Sequence, residues 1–440
     1  MSVQLNSHSR SDCHLRVDCV GDWQPIAEIV RPRSASHGCA LQCATGREPY
    51  WGFGKTNKGM THSSDHHHQA TVDNPSTIIA TVPGTLGYYP HESVVVIGLI
   101  ASEDTDSVYL GPVLRADLGR VRELTAYLGS APVDTCIAFL GILVTRVPGS
   151  GVALNAVEEL EKLERTNGEP LIDVLWHVSE IAHGTPYSMV FGPEPAELGM
   201  FWSELAWEHG VVGSVMASPA MEAMRANGTL PALDRNDTFS YFEPVVLSGA
   251  EEHRITSLTQ QALARSAQLR VELARGSSRP ASVVHQACTA LINSPAQPII
   301  GADEPLSIAE AVPDQNCLAA LATVLARPTL RDCVIGEAVR HPQESASALL
   351  AVARSFRGVI RANALSIWAL VAISRGVSSW ASAALHCAQE EMPEHSMSAI
   401  CLEVLALGEQ KKLVTTILEG CELACEKLLG PADPPMRKSA

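Results

Sequence analysis

From Ser93 the chain reads Ser93-Val94-Val95-Val96-Ile97-Gly98-Leu99, a run of β-branched residues with no polar alternation. Such a run predicts a strand covered on both faces. The stretch before it, Pro83–Glu92, is rich in turn residues and is expected to be a loop. Val108–Leu118 predicts a second strand, and Gly119–Gly129 a helix, with Val121, Leu124, Tyr127 and Leu128 at helical spacing. Cys136–Thr145 is again a buried-strand pattern. Ala153–Thr166 predicts an amphipathic helix, with Val157, Leu160 and Leu163 on one side and Glu158, Glu159 and Glu161 opposite. Ile172–Val178 and Tyr187–Phe191 close the series as strands. Strands alternating with helices imply βαβ crossovers, so the expected fold class is α/β, a mostly parallel sheet with helices on its faces.

After Ser248 the strand signals stop. Glu251–Arg275 predicts a long helix, Gly276–Ser282 and Ser294–Pro305 are Gly/Ser/Pro-containing breaks, and Leu306–Leu429 has helical composition throughout. One pair of helices there has a specific spacing: Ala369, Gly376, Ala381 and Ala388 are small or turn residues, Leu385 lies on the second helix, and Pro393 closes it. The spacing is that of a tetratricopeptide-like helical hairpin, whose small residues let antiparallel helices approach closely. The expected organisation is a non-globular extension over residues 1–74, an α/β domain over 75–250, a helix and linker over 251–305, and an all-α helical-hairpin region over 306–440.

Composition changes this picture at the amino end. Residues 1–59 contain four of the twelve cysteines, Cys13, Cys19, Cys39 and Cys43, without a sustained period, and patterned protein begins only after Met60. Zinc held by these cysteines with His14 or His37 is one reading, but the Cys13/Cys19 gap is wider than the knuckles of structural zinc sites. The other reading, preferred here, is an extension with natural translation starting at Met60. The run His66-His67-His68 lies in a polar lead and lacks a second ordered ligand group. No metal is expected.

The chain carries 32 basic and 48 acidic residues, a net charge of −16, which works against nucleic acid as a partner. No apolar run reaches the length of about 20 residues needed to cross a bilayer, and no apolar segment of a secretory signal follows the first charges. The scattered cysteines read as reduced thiols packed as small hydrophobes, which points to the cytoplasm.

Candidate chemistry gathers around His91, Glu92, Ser93, Arg115 and Asp117. His91, Glu92 and Ser93 enter the first strand, and Arg115 and Asp117 share one side at the far end of the second. A guanidinium at the carboxyl ends of strands suits a small anionic ligand. The competing reading is structural, with Arg115 paired to Asp117 and Ser93 capping a turn. The turn Arg146–Gly151 opens a helix and offers a possible anion cradle, although glycines at such turns are mostly geometric. No nucleophile elbow, no dinucleotide fingerprint and no P-loop is present, so no cofactor is expected. Cys421 and Cys425, one helical turn apart, with His386 and Cys387, form a conceivable metal set, but buried cysteine is the commoner role. Trp202 and Trp207 read as core or rim contacts.

The blocks Pro83–Val96, Gly111–Leu118 and Arg361-Ala362-Asn363-Ala364-Leu365, with Ala369, Arg375 and Gly376, resemble the actinobacterial domain-of-unknown-function family 4192. The resemblance covers about residues 75–428, with gaps. Members of that family often carry a Cys-Cys-Pro turn after the middle strands. This chain has Glu180–Pro186 there with no paired cysteines, so a metal role built on them does not transfer. The family brings no assigned activity. Two functions are therefore carried forward: a non-catalytic interaction, scaffold or regulatory protein that binds a protein partner on its helical half, or an α/β protein that binds or converts a small anionic metabolite near Arg115.

Overall fold

The computed structural model describes residues 74–429 apart from 102–107, 129–135, 166–167, 194–206, 302–303 and 407–409. Helix α1 (Pro75–Leu86) is capped by Asn74, whose side chain accepts the Thr77 N–H at 2.9 Å, and stops at Gly87 with φ 81°. The expected loop over Pro83–Glu92 is thus helical to Leu86. Pro83 sits inside α1, whose buried Ile78, Ile79, Val82 and Leu86 outweigh the hydrogen bond that proline removes. Strands β1 (Ser93–Ala101) and β2 (Val108–Asp117) follow, then α2 (Val121–Leu128), β3 (Cys136–Val144), α3 (Gly151–Glu161), β4 (Val174–Val178), β5 (Pro186–Phe191) and β6 (His209–Val211).

The six strands form one mixed sheet in the order β2-β1-β3-β4-β5-β6. Only β3 and β4 pair in parallel; the other four pairings are antiparallel. The expected mostly parallel sheet is therefore wrong, and connection length explains why. Six residues separate β1 from β2 and seven separate β4 from β5, too few for a crossover, which needs about a dozen or more. The segments that carry helices, between β2 and β3 and between β3 and β4, do return the chain to the same direction. The first of them steps over β1, so β2, β3 and β4 all run one way.

Both faces of the sheet are buried. Val94, Val96, Leu114, Phe139, Leu143 and Leu175 point to the face covered by α2 and α3, where Leu124, Leu128, Ala153, Ala156 and Leu160 meet them. Their neighbours Val95, Ile97, Val113, Leu140, Ile142 and Trp176 point the other way, against α1 and the later helices. Ile137 falls at a register shift between β1 and β3, which returns Cys136 to the α2–α3 face.

The carboxy-terminal part is helical: α4 (Glu222–Ala226), α5 (Arg235–Ser240), α6 (Gly249–Ala274), α7 (Arg279–Ile292), α8 (Ile308–Ala311), α9 (Gln315–Leu325), α10 (Pro328–Arg340), α11 (Pro342–Ser355), α12 (Gly358–Ser374), α13 (Ser378–Glu391), α14 (Ser396–Ala406) and α15 (Gln410–Leu429). Sequence punctuation sets many of the starts. Ser307 and Glu310 form a capping box on α8, Asp314 caps α9, and Pro328 and Pro342 open α10 and α11. α12 and α13 pack against each other as a helical hairpin. Gly376 makes its turn at φ 75°, where a Cβ would lie 3.0 Å from that of Ala223, and α13 ends at Glu391 just before Pro393. Every residue from Ile360 to Ile373 is buried, so α12 is a central helix of this part.

Candidate functional site

The register of the sheet brings the carboxyl ends of β2, β3 and β4 to one edge. Ser93 faces Asp117 on one side and Val144 on the other, and Val144 faces Val178. All four candidate residues, His91, Ser93, Arg115 and Asp117, gather at this edge. Arg115 has the parity of Val113, so it lies on the face that packs against α1, and it is almost wholly buried. Its Nε and Nη2 donate to Ser93 Oγ at 3.0 and 2.6 Å, and Nη2 reaches the His91 carbonyl at 3.4 Å and Asp117 Oδ1 at 2.5 Å. Ser93, itself fully buried, donates its hydroxyl proton to the His91 carbonyl. His91 stays exposed, with Nε2 3.1 Å from the Leu233 carbonyl. Asp117 keeps 52% of its side-chain surface in water, against 8% for Arg115. The arrangement fastens the loop before β1 to the end of β2.

Glu92, beside these residues, has φ 42°, the only positive φ among the described residues other than glycine. That left-handed conformation costs a side chain about 1 kcal/mol or more. Its carboxylate holds it there, accepting from the Thr145 hydroxyl at 2.7 Å and from the Arg146 N–H at 3.1 Å, while its carbonyl accepts from the Leu118 N–H at 3.0 Å. Thr145 Oγ1 also accepts the Val147 N–H, and His177 Nε2 lies 2.9 Å from the Thr145 carbonyl. Arg146 pairs with Glu180 at 2.6 Å, both largely exposed. The turn after β3 ends at Ser150, whose hydroxyl accepts the Ala153 N–H and so caps α3. Thr145 and His177 carry no local motif; only the parallel β3–β4 pairing places them here.

A second polar group, undetected in the sequence, lies inside the helical part. His395 precedes α14, and its Nδ1 accepts the Ser398 N–H at 3.3 Å. The proton of the neutral ring therefore sits on Nε2, which donates to Asn363 Oδ1 at 2.9 Å. The same oxygen accepts from Arg331 Nη1 at 2.7 Å, and Asn363 Nδ2 donates to the Leu325 carbonyl at 2.7 Å. Ser398 Oγ lies 2.8 Å from His395 Nδ1, donates to the His395 carbonyl and accepts from Gln389. Serine, histidine and amide stand in the order of a hydrolytic triad. Ser398 and Asn363 are fully buried, however, and the ring nitrogen that would serve as base is occupied by a backbone N–H. The chain of bonds joins α10, α12 and α14. Burial first, and then the charge of Arg331, holds the His395 pKa down at about 4.

Arg361, from the block that carries the family resemblance, is also a tie. It donates to the carbonyls of Ala353 and Phe242, the latter at 2.9 Å, and pairs with Glu391 at 3.1 Å. Trp207 is buried against Trp176, with ring centroids 5.2 Å apart, and its carbonyl accepts the Trp176 indole N–H at 2.8 Å. Trp202 lies outside the described residues, as do Cys13, Cys19, Cys39, Cys43, His14, His37 and the histidines at 66–68. Cys421 and Cys425 meet Cys333, whereas His386 lies against Phe239. Among the described residues no three His, Cys, Asp or Glu side chains converge as a metal site, and no helix is long and apolar enough to cross a membrane.

No curated protein and no solved structure matches the chain. A family model does, over residues 75–410, from the first turn of α1 to the start of α15. That span takes in the sheet, the Arg115 cluster, Arg361 and the His395 group alike, and on it the chain belongs to the family described as Domain of unknown function (DUF4192).

Proposed function

We propose that this chain is a non-catalytic interaction protein of the cytoplasm, with a scaffolding or regulatory role, and that its partner docks on the outer face of α6. One observation carries the reading. α6 is 26 residues long and buries only Ile255, Ala262, Ser266 and Leu269. Its second half leaves Leu263, Ala267 and Val271 exposed at i, i+4 and i+8, the two large residues at 42% and 45%. An apolar stripe at helical spacing on an outer face suits an amphipathic partner helix. Arg270 and Arg275 are exposed beside the stripe, so an acidic partner helix fits best there. The tetratricopeptide-like α12–α13 hairpin does not offer this surface, because its small residues Ala369, Ala381 and Ala388 are themselves buried.

The alternative, a small anionic metabolite at Arg115, draws on the convergence of strand ends around that residue. Against it stands the engagement of Nε and Nη2 by Ser93, the His91 carbonyl and Asp117. The test is a pull-down with the full chain and with a variant carrying Leu263→Glu and Val271→Glu. A protein retained stoichiometrically by the parent and lost by an equally stable variant is the expected outcome. Undiminished capture of the same protein by the variant removes α6 as the docking face.

A further inference from the structure

Two thiols meet where α15 packs on α10, with two more nearby. The Cys425 and Cys333 side chains are in contact across the two helices; the Cys425 thiol donates to the Cys333 carbonyl at 3.5 Å, and the Cys333 thiol donates to the Thr329 carbonyl at 3.7 Å. Cys421, one turn before Cys425, and Cys288 on α7 are close enough to feel Cys425 electrostatically. The two members of the central pair differ. Cys333 is buried, while Cys425 is half-buried. Arg340, in the last turn of α10, places a cation near Cys425, where it is paired with Glu337, and Glu337 and Glu422 place carboxylates near the same thiol.

We propose that Cys425 and Cys333 form an oxidisable dithiol, with Cys425 attacking a hydroperoxide and Cys333 resolving the product to a disulfide between α15 and α10. The chemistry balances. The Cys425 thiolate attacks the terminal oxygen of ROOH, the O–O bond breaks, and the alkoxide takes up a proton to leave as ROH. Cys425 is then a sulfenic acid, oxidised by two electrons. Cys333 loses its proton and attacks that sulfur, and hydroxide departs as water after protonation, leaving the disulfide. Overall, two thiols and one hydroperoxide give one disulfide, one alcohol and one water. A dithiol reductant reverses the link by exchange. The division of roles follows from access: Cys425 is the more exposed thiol, and its contact with Cys333 and the nearby Arg340 hold its pKa below the usual thiol value, against burial and the carboxylates of Glu337 and Glu422. Cys421 is pushed up to about 12 by burial and by neighbouring negative charge, Cys401 to about 12 by burial, so both stay protonated.

The two residues are 92 positions apart in sequence, and the link would pin the last described helix to α10. Cys333 and Arg340 lie within the span matched by the family, and Cys421 and Cys425 lie beyond it.

The test treats the folded full chain with hydrogen peroxide near neutral pH, blocks free thiols by alkylation, and maps disulfides by mass spectrometry after digestion. The expected result is a Cys333–Cys425 peptide pair formed before Cys401 reacts, reversed by dithiothreitol and absent in Cys425→Ser. Because a serine can disturb packing, the parent is also alkylated without peroxide across pH. Cys425 should react first among the described cysteines, and at lower pH than Cys401. Overturning results are a Cys425 that proceeds to sulfinic acid while Cys333 stays free, a disulfide formed by Cys421 instead, or a Cys425 no more reactive than Cys401.

Discussion

Two of the buried arginines, Arg115 and Arg361, show how one residue type differs in weight with its partners. Arg115 bonds buried Ser93 and half-exposed Asp117. Replaced by methionine, it leaves a carboxylate that water can solvate, so the cost is about 1–2 kcal/mol, mainly the serine hydrogen bonds. Arg361→Met leaves the Ala353 and Phe242 carbonyls without this donor and the largely buried Glu391, which keeps the Gly358 N–H, without its counter-charge. Its cost should be about 3–5 kcal/mol. Urea unfolding of both variants checks the order. An Arg115 variant with unchanged stability and a lost affinity for a small anion would return the metabolite reading to first place. His395 supplies a prediction in pH. Its folded pKa of about 4 lies below the ordinary value of about 6.5. The stability from keeping the ring neutral is complete above about pH 6.5 and is lost as pH falls toward 4, because the unfolded chain takes up the proton first. Over that interval the parent should lose up to about 3 kcal/mol more than His395→Gln. Parallel stability curves for the two proteins would show that the ring titrates freely in the fold.

Among the elements, those with a strong period were the most legible. β1 and β3 begin at the residues expected, and α6 falls within two residues of its expected bounds, because an unbroken apolar or amphipathic run leaves few alternatives. Strand direction was not legible from alternation alone. It depended on whether each connection was long enough to carry a helix back across the sheet, and the short β1–β2 and β4–β5 links were not. α1 was hidden by Pro83 and the glycines around it. Gly84 is nonetheless required inside that helix, since a Cβ there would lie 2.8 Å from the Ala220 carbonyl carbon. The candidate site divides in the same way. His91, Ser93, Arg115 and Asp117 could be grouped because they flank two strands with visible ends. Thr145 and His177 join them only through the parallel β3–β4 register, and the His395 group through three helices brought together from Arg331, Asn363 and the α13–α14 turn.

At the scale of the molecule, the two faces of the sheet have unlike partners, and this bears on how the chain unfolds. The α2–α3 face closes a local core, built from residues between Val94 and Leu175. The opposite face does not end at α1: Val95, Ile142 and Trp176 share one continuous cluster with Phe242, Leu321, Trp368 and Leu385. Phe242 links the parts, with its ring 4.7 Å from that of Trp368 and its carbonyl held by Arg361. α7, in the stretch expected to act as a linker, buries Val283, Val284, Ala287 and Leu291 in the same cluster. A shared core couples the sheet to the helices, because neither can separate without exposing apolar surface at about 25 cal/mol per Å². Heating should therefore give one transition, with calorimetric and van't Hoff enthalpies equal and with tryptophan fluorescence and helical circular dichroism melting together. Two resolved transitions, one carried by a fragment ending near Ala250, would instead divide the chain into a 75–250 unit and a separate helical one.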